Sequence, residues 1–329
     1  MVPFPPALLH SLLGQIVLIL GGILVLWFGA ESTVRSASRL ALRLGMSPML
    51  VGATVVAFGT SAPEWLVTVF AQTNGAPDMA LTNILGSNVA NLSLVLGLTT
   101  LILPLAVRRS VLIAELSYVL IAELVFLGLA WNLELTATDG LLLFGLFAVL
   151  YFLMFRSSFA MTDVEDLAPP RQQHSVPGQV LILLLGVGAL AAGADAFTTG
   201  AQELGRDLGV SDRVLGATVV AFGTSLPELV TCVVGAIRGH SEISLGNLLG
   251  SNLFNILFVG GSLSLIGGGV QVPEGILSFE CLWVLGITAA LWPLTILPPR
   301  RMQIGRGGGF LLTALWVVFA TLSVFGSKA

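Results

Sequence analysis

GATVVAFGTS, residues Gly52 to Ser61, returns unchanged as Gly216 to Ser225, and each copy is followed after one residue by Pro-Glu. One offset of 164 (228 − 64, 255 − 91) carries Glu64 onto Glu228 and Asn91 onto Asn255, and it runs without gaps from the pair Gly14 and Gly178. The chain is one unit used twice. Repeats of this length that place a carboxylate inside an apolar segment point to a membrane transporter whose chemistry lies where the two copies meet.

The composition agrees. With 55% hydrophobic residues, 10% charged residues and a mean hydropathy of +0.96, the 329-residue chain is too apolar for a soluble domain. A spanning helix needs about 20 apolar residues. Ten stretches qualify: roughly 12–42, 48–73, 79–104, 110–131 and 138–155, then 178–207, 212–237, 243–267, 276–296 and 308–327. Five spans per repeat is an odd number, so the second copy enters the bilayer from the opposite side. The expected fold is an all-α integral membrane protein of ten transmembrane helices arranged as two inverted five-helix repeats. Residues 1–155 form the first repeat (motif region 52–97) and residues 178–329 the second (motif region 216–261). Residues 156–177, with Asp163, Glu165, Asp166, Pro169 and Pro170, form a linker too short to fold on its own.

Short cytoplasmic loops collect Lys and Arg. An outside N-terminus puts Arg35, Arg39, Arg43, Arg108, Arg109, Arg156, Arg171, Arg238, Arg300, Arg301 and Arg306 on the inner side, 11 of the 14 basic residues. Both termini are therefore expected outside and the linker in the cytoplasm. The opening MVPFPPALLHSLLG has no basic stretch ahead of its apolar run, so the first helix is expected to be retained. Cys232 and Cys281 lie in apolar spans and suggest packing rather than a disulfide or thiolate metal site. His10, His174 and His240 fall at span ends or in loops and are expected to be solvated. Nothing suggests nucleic acid, an obligatory protein partner or a cofactor.

Ala57, Thr60, Ser61 and Glu64 recur at i, i+3, i+4 and i+7, one face of a helix, and Ala221, Thr224, Ser225 and Glu228 repeat the pattern. Pro63 and Pro227 sit within these spans, where each removes a backbone hydrogen bond and loosens the preceding carbonyls. Glycines at 52, 59, 216 and 223 favour unwinding or close packing. The segments NILGSNVAN (Asn83 to Asn91) and NLLGSNLFN (Asn247 to Asn255) add the pairs Ser87 with Ser251, Asn88 with Asn252 and Asn91 with Asn255. Carboxylates, hydroxyls, amide oxygens and loosened carbonyls make an all-oxygen set suited to Ca²⁺ or Na⁺ and not to soft metals. The small residues serve equally as packing surfaces, and asparagine can bridge helices. The glutamates are harder to explain as filler, because a charge at mid-membrane costs roughly 2.5–3.5 kcal/mol on insertion scales. Glu31 and Asp195 also match across the repeat and suit a gating or interhelical role. Glu115, Glu123 and Glu280 suit snorkelling or interhelical hydrogen bonding.

The paired GTSAPE and GTSLPE, with GSNVAN and GSNLFN downstream, resemble the α-repeats of the sodium/calcium exchangers of the cation/calcium antiporter superfamily, and the likeness covers 14–98 and 178–262. The resemblance implies a Ca²⁺ site of Glu64, Glu228 and the carbonyls of Thr60 and Thr224. It implies Na⁺ sites of Ala221, Thr224, Ser225, Ser251 and Glu64 on one side and Ala57, Thr60, Ser61, Ser87 and Glu228 on the other, with Asn91 and Asn255 completing the centre. It implies an electrogenic antiporter that exchanges Na⁺ for Ca²⁺ by alternating access in the plasma or inner cell membrane. The first and sixth spans are its natural sliding pair. Potassium-dependent relatives carry aspartate at the second asparagine position, where this chain has Asn255, and the short linker resembles prokaryotic members. The proton/calcium branch resembles the fold with a different motif and stands as the alternative. A cation channel is a further reading, separated from an exchanger by the absence of coupling. No Ser/His, Asp/Asp or HExxH arrangement suggests an enzyme. Thr82 stands where the second repeat has Gly246, and Ala90 where it has Phe254, so the halves are not equivalent.

Overall fold

The computed structural model describes residues 4–107, 109–160, 175–210, 219, 221–266, 268–296 and 302–325. Most of the linker (161–174), Gly216, His174, and the basic residues Arg108, Arg171, Arg213, Arg300, Arg301 and Lys328 lie outside the described residues.

The helices in chain order are α1 (Leu12–Leu44), α2 (Pro48–Thr60), α3 (Ala62–Thr73), α4 (Pro77–Ile102), α5 (Arg109–Leu129) and α6 (Ala137–Ala160). They continue with α7 (Val176–Asp207), α8 (Ala221–Thr224), α9 (Leu226–Ile237), α10 (Ser241–Ile266), α11 (Leu282–Ile296) and α12 (Arg306–Phe325). Among the described residues, eight helices are long and apolar enough to cross a membrane, and α2 with α3 makes a ninth crossing bent by 44°. The stretch α8–α9 holds the second motif, and most of the chain before it, 211–218, is outside the described residues.

Repeat symmetry shows first in the caps. Ser11 caps α1 by accepting from the Gly14 N–H at 3.1 Å, and one offset later Ser175 caps α7 by accepting from Gly178 at 3.3 Å. The sequence places Pro63 inside one distorted helix. Instead the helix stops: Ser61 leaves helical geometry (φ −89°, ψ 3°), and Pro63 falls in the first turn of α3, where a missing N–H removes no bond. Ser225 does the same ahead of α9 (φ −87°, ψ 2°). Among the described residues, π-helical turns at Gly52–Val56, Asn91–Val95, Phe254–Val259 and Ile276–Cys281, with Val219 in the same conformation, were not legible in the sequence.

Burial sorts the helices. α4 and α10 each bury 83% of their most apolar window, against 22% for α6 and 17% for α12, so the first pair forms the centre and the second faces lipid. α1 and α7 pack along their length through two glycine pairs. A Cβ on Gly22 would lie 2.8 Å from the Gly193 carbonyl oxygen, and one on Gly29 would lie 2.9 Å from that of Gly186. The rising number on one helix meets the falling number on the other, so the two run antiparallel. The offset of 164 exchanges the two contacts (22 + 164 = 186, 29 + 164 = 193). Small residues at such a crossing let backbones touch.

Two short antiparallel ribbons join the halves: β1 (Leu105–Val107) pairs with β4 (Met302–Ile304), and β2 (Glu134–Thr136) with β3 (Gly269–Gln271). The offset lands β1 on β3 (105 + 164 = 269) but carries β2 to 298 (134 + 164 = 298), four residues short of β4 at Met302, so the two ribbons correspond only once the ungapped register has slipped by four. The departure from symmetry at Phe254 is structural. Its ring stacks on Phe258 at 4.7 Å and meets Phe58 edge-on at 5.1 Å, bracing α2 against α10 in one half only.

Candidate cation site

Glu64 lies in the first turn of α3 and Glu228 in the first turn of α9, each just past the broken backbone at Ser61 or Ser225. Both are fully buried. Ser61 donates its hydroxyl to Glu228 Oε1 at 3.0 Å, and the hydroxyls of Thr60 and Ser251 face the same carboxylate. Neither oxygen of Glu64 has a hydrogen-bond partner, yet Glu64 lies close enough to feel the charge of Glu228. Two neighbouring carboxylates in a buried interior, with no basic side chain bonded to either among the described residues, are an arrangement whose natural counter-charge is a cation.

A second layer of amides holds the broken helix. Thr60 donates its hydroxyl to Asn247 Oδ1 at 3.0 Å, on the residue just before the break. Just beyond it, Asn83 Nδ2 donates to the Glu64 carbonyl at 3.2 Å and to Thr68 Oγ1 at 3.0 Å. Asn247 Nδ2 donates in turn to Cys232 Sγ at 3.7 Å, and Cys232 is the repeat counterpart of Thr68 (68 + 164). At the meeting of α4 and α10, Asn88 Nδ2 donates to the Asn252 carbonyl at 3.1 Å and Asn252 Nδ2 to the Asn88 carbonyl at 3.3 Å. Asn91 Nδ2 donates to Asn252 Oδ1 at 3.1 Å.

Buried polar atoms are almost always hydrogen-bonded. Here seven oxygens of the sequence-predicted set are not: Glu64 Oε1 and Oε2, Glu228 Oε2, Asn91 Oδ1, Asn255 Oδ1, Ser225 Oγ and Ser251 Oγ. Several hydroxyls in these helices bond back to their own backbone, as Thr54, Ser93, Thr100, Ser262 and Ser264 do. Ser225 and Ser251 do not, and neither do Thr99 and Thr231 outside the set; Ser251 is set apart by facing the Glu228 carboxylate. Ala57, Thr60, Ser61, Ser87 and Asn91 of the first motif are all buried, and Thr224 is partly so. Ala221 opens α8, and its side chain is outside the described residues. The π turns starting at Asn91 and Phe254 pull carbonyls out of the regular ladder beside both central asparagines, a distortion frequent at functional sites. No group of three or more His, Cys, Asp or Glu able to hold a metal ion occurs among the described residues.

Asn83 and Asn247 had no role assigned from sequence, and Asn88 and Asn252 entered only as a pair of the oxygen set. Their signal was present, since each recurs at the 164 offset, but asparagine in a membrane helix is also ordinary glue. The remaining acids lie elsewhere. Glu31 bonds to Arg35 Nε at 2.5 Å and to Arg238 Nε at 2.7 Å, an ion-pair link between α1 and the end of α9. Glu123 accepts from Thr288 at 2.8 Å, joining α5 to α11. His240 is not simply solvated: it is half-buried 3.5 Å from Ser38 Oγ, and burial holds its imidazole below its ordinary value. His10 is exposed. Cys232 and Cys281 are free and buried.

The family model described as "Sodium/calcium exchanger protein" matches residues 14–156 and 178–325. Inner membrane protein YrbG of Escherichia coli is 33% identical over 317 residues, 93% of this chain and 95% of that protein. Sodium/calcium exchanger MaX1 of Methanosarcina acetivorans is 29% identical over 340 residues, 92% of this chain and 96% of that protein. A solved structure of the sodium-calcium exchanger NCX_Mj superposes with a TM-score of 0.77 at 29% identity, covering 92% of this chain and 97% of that one.

Proposed function

Since the chain belongs to the sodium/calcium exchanger protein family, we propose that it is an electrogenic antiporter that exchanges Na⁺ for Ca²⁺ by alternating access. The observation that carries this reading is the set of buried, unpartnered oxygens around Glu64 and Glu228. Two carboxylates match the charge of one Ca²⁺, held with the carbonyls of Thr60 and Thr224. Na⁺ occupies flanking positions: Ala221, Thr224, Ser225, Ser251 and Glu64 on one side, and Ala57, Thr60, Ser61, Ser87 and Glu228 on the other. Asn91 and Asn255 close the centre. Because both ions need the same carboxylates, they compete for one oxygen cage, and competition couples their movements.

The carrier is built from ten spans as two inverted repeats, residues 1–155 and 178–329, with the 156–177 linker in the cytoplasm and both termini outside. The symmetric caps and the antiparallel α1–α7 pair support the inverted repeat, and the arginine bias alone supports the orientation. The glycine-lined contact of α1 with α7 offers a smooth track on which the pair slides past the cage, opening it to one side and then the other.

The test is Ca²⁺ uptake into vesicles loaded with Na⁺, with K⁺ or with an acid interior, compared side by side. Uptake driven by internal Na⁺ alone supports the reading. Uptake that follows acid and ignores Na⁺ moves the protein to the proton/calcium branch, and uptake with no counter-ion at all makes it a channel.

A further inference from the structure

We propose that Asn88 and Asn252 act as a paired lock that orients one central asparagine at a time, turning the oxygen of Asn91 to the cage in one state of the carrier and that of Asn255 in the other. The proposal rests on the exchanger reading above. Donor and acceptor chemistry fixes the half that is made. Asn88 and Asn252 each give their amide N–H to the other's backbone carbonyl, at 3.1 and 3.3 Å, a reciprocal bond pair that the repeat offset maps onto itself. Because Asn252 must aim its NH₂ at a carbonyl, its Oδ1 faces the other way, and there it accepts from Asn91 Nδ2 at 3.1 Å. That bond fixes which way the Asn91 amide faces: its NH₂ is turned to Asn252, and its Oδ1, buried and without a partner, is the oxygen that a cation meets. Released from Asn252, the same amide is free to turn and offer a cation its NH₂, which repels.

The symmetry-related bond is open. The offset that pairs Asn91 with Asn255 and Asn252 with Asn88 requires Asn255 Nδ2 to donate to Asn88 Oδ1, and both atoms are buried without partners. The hydroxyl–carboxylate bonds are unequal in the same sense. Ser61 donates to Glu228, whereas Ser225 Oγ and both oxygens of Glu64 have no partner. Two separate bond pairs, each made from the first half to the second and open in return, describe a bistable element resting in one of two related arrangements. In the oppositely facing state the pairs exchange: Asn88 takes Asn255, Asn252 releases Asn91, and Ser225 takes Glu64. Asn88 and Asn252 are themselves fully buried, with their amide donors turned to one another, and they act on the cation through Asn91 and Asn255 as positioning residues.

The test uses full-length protein in lipid nanodiscs and vesicles as wild type, Asn252→Ala, Asn88→Ala and the double variant. Hydrogen–deuterium exchange compares peptides covering α2 and α3 with those covering α8 and α9. Removing Asn252 penalises the arrangement described here, and removing Asn88 penalises its opposite. The ratio of exchange between the two peptide sets is expected to move severalfold in opposite directions in the single variants and to return toward wild type in the double variant. The Na⁺ concentration for half-maximal Ca²⁺ movement should rise severalfold from one membrane side in Asn252→Ala and from the other side in Asn88→Ala. Shifts of the same sign in both variants, or equal effects from both sides, overturn the lock. If an alanine variant does not fold, Asn252→Ser and Asn88→Ser face the same comparison. Wild-type protein that takes up no Ca²⁺ against Na⁺ defeats the exchanger reading, whereas same-sign shifts in protein that does exchange the two ions defeat the lock alone.

Discussion

Ser61 reaches across the repeat boundary to bond Glu228 at 3.0 Å, while its counterpart Ser225 makes no bond to Glu64. The two serines are interchangeable in sequence and unequal in structure. A hydrogen bond to a charged group contributes about 1.5–3 kcal/mol. Ser61→Ala is therefore expected to lower the thermal stability of the ion-free protein, and Ser225→Ala to leave it within error of wild type. Saturating Ca²⁺ should shrink the difference, because the cation then holds Glu228. Equal losses from the two variants would show that the asymmetry is absent in solution.

Glu64→Gln and Glu228→Gln are each expected to abolish Ca²⁺ transport while leaving folded protein in the membrane. Each removes one formal charge from the proposed divalent cage, where both carboxylates are buried. Glutamine keeps the shape, so the fold has no reason to fail. Transport near the wild-type rate in either variant would remove that glutamate from the site.

The cycle is expected to move charge. Three Na⁺ for one Ca²⁺ transfers one net charge, and a potential of 100 mV then biases the cycle by about 2.3 kcal/mol. A potassium-diffusion potential imposed on vesicles should change the rate of Na⁺-driven Ca²⁺ movement, with opposite signs for opposite polarities. Sodium-driven exchange that ignores voltage would reject this stoichiometry alone.

Gly193→Val places branched carbons where a Cβ already falls 2.8 Å from the Leu26 N and 2.9 Å from the Gly22 carbonyl oxygen. Overpacking of this kind costs about 1–3 kcal/mol. The expected result is a less stable protein with a lower maximal transport rate and an unchanged Ca²⁺ half-saturation, since the cage lies elsewhere. A large change in Ca²⁺ affinity with normal turnover would detach the α1–α7 crossing from gating.

Cysteines introduced into the 156–177 linker should react with a membrane-impermeant reagent only from the cytoplasmic side. The orientation rests on the arginine bias alone, and labelling from outside intact cells would invert it.

The sequence reveals the site's members better than their relations. Glu64 and Glu228 stand out because a repeat doubles the improbability of a mid-membrane carboxylate, and Pro63 announces a disturbed helix. Pro63 does not reveal that the helix ends at Ser61, because proline is compatible both with a kink and with a fresh first turn. The π turns at Asn91 and Phe254 have no residue signature, since an inserted residue is a matter of register between neighbouring helices. Asn247 and Asn83 were visible as a repeated pair, yet only the fold shows one steadying Thr60 from the opposite repeat and the other steadying the Glu64 backbone within its own. Thr82 and Ala90 already mark the halves as unequal in sequence, but the inequality between the bonds of Ser61 and Ser225, which stand in identical motifs, is visible only in the structure.

The ribbon of β1 with β4 bears on how the protein is made. β1 is synthesised with the first half, but its partner at Met302–Ile304 emerges roughly 200 residues later (302 − 105). At ~5–20 residues per second that delay is on the order of 10–40 s, during which the strand edge has no mate. The second ribbon repeats the dependence, with Glu134–Thr136 waiting for Gly269–Gln271. Neither half can complete its own ends. Both ribbons therefore close only after the second half has been made, and a chain stalled before Met302 leaves β1 without its mate.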